Sequence, residues 1–265
     1  MNLLHKIVIA TATTLISIMT LHAETAETLT QQADSAYMRD DFSSALSLYL
    51  DIADNHGTSA PLYYNIANCY YRLGQPGKAI VYYERALRLD PSDRDTRDNL
   101  DFVNSRITDE PGDRGMFITK TVNAIATRVG ANTWATLAII SFIMLLVCVA
   151  LYVLPSAVTV RKIGFFGAFA MVAICIVANI LASIATEYST AHDEAIVTVP
   201  ATMLSTSPRA PKDRSEEALL LHEGTKVQIL DSVTSRIDSV AVKWFDVRVD
   251  NEHRAWIKGS DIERI

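Results

Sequence analysis

No charged residue occurs between Arg128 and Arg161, and none between Lys162 and Glu187. Within these runs, residues 134–154 and 163–185 are each long enough for the roughly 20 helical residues that cross a bilayer core. The rest of the 265-residue chain holds no large soluble domain that could bury two such helices. Two membrane spans are therefore expected, joined by a short loop, 155–162, that carries Arg161 and Lys162. The positive-inside tendency assigns this loop to the cytoplasm. Arg114, Lys120 and Arg128 before the first span weaken that charge argument.

Along the second span, Gly164, Ala168, Met171, Cys175, Ala178 and Ala182 follow one helical stripe, with polar Asn179 beside them. Small residues permit close helix contact, and an amide at membrane depth seeks a partner. Gly164, Ala168, Asn179 and Ala182 are thus candidate packing residues, against the first span or a second membrane protein.

The N-terminus supplies a stronger argument about sidedness. Lys6 precedes a 15-residue uncharged stretch, Ile7 to Leu21, and a small residue at Ala23. This is the layout of a signal peptide over 1–23, with an uncleaved anchor as the alternative. Either arrangement exports the chain from Glu24 to the first span. With two spans, the segments before and after them share that exported side. Between the first segment and the first span, 108–133 reads as a linker. Within it, Ile118, Val122, Ile125 and Val129 recur at helical spacing, as in an interfacial amphipathic helix or a plain helical linker.

Residues 24–107 are polar and helical in pattern, and they repeat. Ala33 matches Ala67, Ala45 matches Ala79, and Tyr49 matches Tyr83, each 34 positions apart. A 34-residue period with small residues at these places resembles tetratricopeptide repeats. In the second copy Ala67 and Ala79 allow two helices to approach closely. Ile66, Tyr70 and Tyr83 fill the space between them, Gly74 ends the first helix, and Pro91 stops the second. Residues 94–107 read as a closing helix with a polar outer face. "GQPGK" within this copy lacks the spacing and the Ser or Thr of a phosphate-binding loop, so it is expected to be a turn between helices. Tyr64, Asn68, Tyr71 and Arg72 lie on another face of the first helix, with Asp34 and Tyr37 in the corresponding places of the first copy. In this repeat family that face lines a concave groove, where Tyr and Arg are common anchors. A solvated face is the plainer alternative. No lysine occupies the positions that clamp a C-terminal carboxylate in some members.

From Ala195 to Ile265 the period changes to short β-rich runs, "KVQIL", "WFDVRV" and "AWI", broken by turns. "LLLHEGTKVQIL" and the later "AWI" resemble bacterial SH3-like domains, and "DSVTSRIDSVAV" is expected to form a longer loop than usual. Some such domains bind peptides or cell-wall material. The fold class is thus multidomain: helical tetratricopeptide hairpins, two transmembrane helices and a C-terminal all-β SH3-like barrel over 195–265.

Chemistry is sparse. The net charge of −6 does not suggest nucleic acid as a partner. Three scattered cysteines form no disulfide framework or metal motif. "LHEGTKV" has Lys226 where a zinc-protease helix needs a second histidine. No cofactor or metal is expected, nor an enzyme. With "RKIGFFG" and "LHEGTKV", the order of segments resembles the BatE family of the Bacteroides aerotolerance group. That resemblance implies an inner-membrane protein with both main domains periplasmic. It implies von Willebrand factor A-type membrane partners, a MoxR-type ATPase nearby, and a role in aerotolerance or stress response. A scaffold is the leading reading. An envelope sensor or anchor holding peptidoglycan peptides through the SH3-like domain is the alternative.

Overall fold

A computed structural model describes residues 26–109, 117–237 and 240–265. The expected signal peptide lies outside the described residues. The N-terminal unit contains α1 (26–38), α2 (Phe42–Asn55), α3 (Ala60–Arg72), α4 (Pro76–Leu89) and α5 (Arg94–Asn104). These helices start and stop for local reasons. Asp41 and Ser59 cap α2 and α3 by accepting from the amides of Ser44 and Leu62. Gly74, at φ +73°, closes α3 while the Gln75 N–H donates to the Tyr70 carbonyl. Ala33, Ala45, Ala67 and Ala79 are all fully buried at the helix crossings, and Tyr49, Ile66 and Tyr83 fill the core between them.

An amphipathic helix comes next, α6 (Phe117–Val129), then a hairpin of α7 (Ala131–Val153) and α8 (Val158–Thr190). Both hairpin helices are long and apolar enough to cross a membrane, and most of their apolar side chains face outward. The second is longer than expected. Arg161 and Lys162, expected in the connecting loop, lie in the first turns of α8. The helices run antiparallel, so the start of α7 and the end of α8 share one end of the hairpin.

The C-terminal segment is one antiparallel seven-stranded sheet, ordered β3-β2-β6-β5-β4-β1-β7. Its strands are β1 (Glu194–Val197), β2 (Ala201–Ser205), β3 (Glu217–His222), β4 (Lys226–Ile237), β5 (Val240–Arg248), β6 (Arg254–Lys258) and β7 (Ile262–Arg264). The run "DSVTSRIDSVAV", expected as a loop, instead extends β4 and β5 into a hairpin paired from Asp231–Asp246 outward. Val233 in it stays 40% exposed, so the alternation carries no burial signal. Asp246 of β5 is buried, and the Arg254 guanidinium binds it through two nitrogens.

The repeats and the sheet are not separate bodies on a string. Ile196 of β1 and the terminal Ile265 belong to the same buried cluster as the repeat core. The contact falls on α4, which faces β1, β7 and the end of α8.

Candidate interaction surface

Two surfaces of the repeat unit matter, one occupied and one open. The occupied surface is α4. No side chain of its own caps this helix, and Pro76 opens it. The Gly77 amide donates instead to Glu223 Oε1 at 3.0 Å. A negative carboxylate at a helix N-terminus is the favourable arrangement. "GQPGK" therefore does receive an anion, and the anion is a side chain of the sheet. Two glycines make the fit possible. A Cβ at Gly77 would lie 2.6 Å from Glu223 Cγ and 2.7 Å from the Val197 carbonyl. At Gly224, φ is +92° and a Cβ would meet Ile107 at 2.5 Å.

Further along α4, Glu84 is buried and receives Lys226 Nζ at 3.1 Å and the Tyr188 hydroxyl at 3.0 Å. Lys226 also pairs with Glu194 at 2.9 Å, and Arg88 reaches Glu194 at 3.4 Å and the Ile265 carbonyl at 2.8 Å. Arg85 pairs with Glu263 at 2.9 Å. Burial works to raise the Glu84 carboxyl, but Lys226 and the two hydrogen bonds override it and hold the group below its ordinary range. Asp109, just after α5, accepts from the His222 amide at 2.7 Å and from the Thr225 hydroxyl at 2.6 Å. Its other oxygen lies 2.7 Å from His222 Nδ1. The Thr225 hydroxyl also approaches the His222 carbonyl at 2.8 Å, so this set fastens the turn to Asp109. Nothing in the residue pattern had singled out Glu84, Arg88, Asp109 or Lys226 as a group.

The open surface is formed by α1, α3 and α5, and it holds the residues of α1 and α3 expected to line the groove. The 34-residue period extends into their hydrogen bonds. The Tyr49 hydroxyl donates to Asp34 and the Tyr83 hydroxyl to Asn68, each at 2.5 Å. Burial first, and in Tyr49 the acceptor Asp34 as well, keep both phenols protonated far above any physiological pH. Asn99 of α5 joins the second pair by donating to Tyr64 at 3.1 Å and to Asn68 at 3.2 Å. Two clusters flank this line. At one junction Arg72 stacks 4.1 Å over Phe42, pairs with Asp40 at 3.0 Å, and Tyr37 meets the same ring edge-on. At the next, Arg106 stacks 4.1 Å over Phe102 and Tyr71 meets that ring edge-on. Arg106 is 34 positions after Arg72, and Tyr71 is 34 after Tyr37. All six expected residues therefore sit on one side of the unit. Asn68 and Tyr64 are engaged internally, whereas Arg72, Met38 and Phe102 remain exposed.

In the hairpin, Gly164 meets the backbone of α7. A Cβ there would lie 2.6 Å from the Cys148 carbonyl and the Tyr152 amide. Ala168 and Ala182 are half-buried on the same side. Asn179 is not. It is exposed, and its amide donates back to the Cys175 carbonyl at 2.8 Å, which satisfies it within its own helix.

Among the described residues, no three His, Cys, Asp or Glu side chains are grouped so as to hold a metal. The fold and these surfaces define a helical-repeat chain with an appended sheet and two apolar helices. A tetratricopeptide repeat model matches residues 60–93. The repeat so identified is a protein-interaction module. No curated protein matches the chain.

Proposed function

We propose that the protein is a non-catalytic scaffold anchored in the cytoplasmic membrane by α7 and α8, with the repeats and the sheet together on the periplasmic side. One observation carries the reading. The repeat unit buries α4 against the sheet and leaves the face of α1, α3 and α5 lined with Tyr37, Tyr71, Arg72 and Phe102. Exposed aromatic and arginine side chains on a rigid scaffold are suited to anchoring a protein segment. The burial of α4 against the sheet supports placing both modules on one side of the membrane, as does a hairpin that returns the chain to the end it left. The sheet, read as an SH3-like module, then braces the repeats. The resemblance to the BatE family suggests a von Willebrand factor A-type membrane protein as the partner, in an aerotolerance or stress-related envelope complex.

Affinity capture of the detergent-solubilised full chain tests this. Recovery of such a membrane protein, lost with Tyr64→Ala plus Tyr71→Ala, is the expected result. Recovery unaffected by those changes would sink the groove. Binding to purified peptidoglycan with no protein recovered would move the function to the sheet. Reporter fusions after Ile107, Val158 and Ile265 test sidedness, and a periplasmic signal at Val158 would overturn it.

A further inference from the structure

Where the α4–α5 turn meets the elbow between α6 and α7, a cavity of about 590 Å³ is lined by Ser92, Arg94, Arg97, Arg128, Val129 and Thr133, among others. Three guanidinium groups and no carboxylate line it. Two of the nearby acids are engaged within the turn itself. Asp90 accepts from Ser92, and Asp93 accepts from the Asp95 amide and the Thr96 hydroxyl. Arg97 is held in place by donating to the Pro91 carbonyl at 2.5 Å. Arg94 and Arg128 are exposed, and neither has an ion pair among the described residues. Thr133 belongs to the first turn of α7, whose N-cap, Gly130, offers no side-chain acceptor. The unsatisfied amides of that turn add partial positive charge at the cavity's edge.

Its position is as informative as its charge. Pro91 packs 3.8 Å from where a Cβ would stand on Gly130, so the repeat unit rests on the elbow. The charge-free run begins at Val129, one residue after Arg128. Trp134 anchors the elbow by donating to the Ala126 carbonyl at 3.0 Å. Ile125 and Val129, four residues apart on α6, are exposed apolar surface beside the arginines.

We infer that this cavity binds a phosphate group carried by an anionic lipid, with the guanidinium forks on the phosphate and Ile125 and Val129 against the adjoining chain. Planar guanidinium groups match phosphate oxygens in pairs, and the depth is that of a headgroup. The inference rests on α7 and α8 being membrane spans. Retention of the chain in carbonate-washed membranes tests that reading separately.

The test uses the full chain reconstituted with phosphatidylglycerol or phosphatidylcholine, with retained lipid counted by native mass spectrometry. Phosphatidylglycerol should be retained preferentially. Arg94→Gln with Arg128→Gln should lower that retention roughly tenfold, and Arg161→Gln with Lys162→Gln at the hairpin's other end should not. Arg94→Lys with Arg128→Lys keeps the charge and removes the forks, and should lose an intermediate amount. This milder pair decides the matter if the glutamine pair fails to fold. Inorganic phosphate that protects the wild type against thermal unfolding, and not the glutamine pair, without lipid retention would assign the site to a soluble phosphate. Equal retention of both lipids, or equal retention by wild type and variants, with no protection by phosphate, overturns the inference even where the chain remains membrane-embedded.

Discussion

Glu223, in a turn of the sheet, accepts a hydrogen bond from the Gly77 amide at the start of α4, joining positions 146 residues apart. This bond sits at one end of a seam. The other end is the charged cluster of Glu84, Arg88, Glu194 and Lys226. Two long apolar helices and a linker separate these modules in sequence, and the seam joins them into one unit.

Gly77→Ala tests whether the seam needs close approach. Alanine would favour an isolated helix by roughly 0.5–1 kcal/mol. Here its methyl group meets a backbone carbonyl at 2.7 Å, and a backbone atom has little room to move. Overpacking of this kind costs about 1–3 kcal/mol, so the clash wins. The expected result is a lower melting temperature and faster hydrogen exchange in α4 and β1. An unchanged or raised melting temperature would mean that the seam is loose.

Lys226→Met should destabilise the seam by about 3–5 kcal/mol, because it leaves the buried Glu84 without its ion-pair partner, whereas partly exposed Glu194 keeps Arg88. Adding Glu84→Gln should restore part of the loss. A double-mutant cycle with no coupling between these positions would show that the cluster is not a unit.

The seam should also respond to acid. Burial raises Glu84 and Asp109, but Lys226 in one case, and the Thr225 and His222 hydrogen bonds in the other, bring both carboxyls below their ordinary values of 4.5 and 3.8. A carboxyl depressed in the folded state contributes stability that is fully present above its unfolded value and is lost as pH falls through the folded one. Protection of α4 amides should therefore hold from neutral pH to about pH 5 and fall below about pH 4. Loss of protection already at pH 6 would point to histidine instead.

The repeat core was legible because its residues obey a period. Ala67, Ala79 and Tyr83 repeat Ala33, Ala45 and Tyr49, and burial follows the period. The two long apolar helices were legible from their lack of charge. The seam was not, because Glu84, Arg85, Arg88 and Lys226 look like any solvated face until a partner surface is known. A clue was present in α4, where Ile80, Val81, Tyr83, Ala86 and Leu87 are all buried, a wider apolar arc than one hairpin neighbour requires. For the residues proposed to line a groove, the spacing was legible and their hydrogen bonds were not. Spacing put Tyr64 and Asn68 on one face of α3, but the bonds from Asn99 to both depend on how the next helix packs.

Cys69 offers a reporter of the repeat core. Burial pushes its thiol up to about 12, and it is fully enclosed between helices. It should resist alkylation at about pH 8 until the repeats open. Tyr83→Phe removes the bond to Asn68, while Asn99 still satisfies the same oxygen. The cost should therefore be near 0.5–1.5 kcal/mol, without the larger penalty of a stranded acceptor. Cys69 should become reactive at correspondingly lower denaturant. A much larger shift would show that the hydroxyl carries more than this one bond.

Gly164→Leu should separate the hairpin. Its side chain would enter the space occupied by the Cys148 carbonyl and Tyr152 amide, which belong to a continuous helix and cannot rotate away as a side chain can. If α7 and α8 lie in lipid as proposed, no hydrophobic driving force acts between them, and the loss of close packing removes much of what holds the pair together. Asn179→Leu is the matched control, since its amide bonds only within its own helix, to the Cys175 carbonyl and thiol. Cysteine cross-linking between positions 138 and 175, where the Cys175 thiol approaches the Ala138 carbonyl at 3.7 Å, reads the result through an Ala138→Cys background. Cross-linking should fall sharply with Gly164→Leu and persist with Asn179→Leu. The reverse pattern would place the polar residue, and not the glycine, at the contact between the helices.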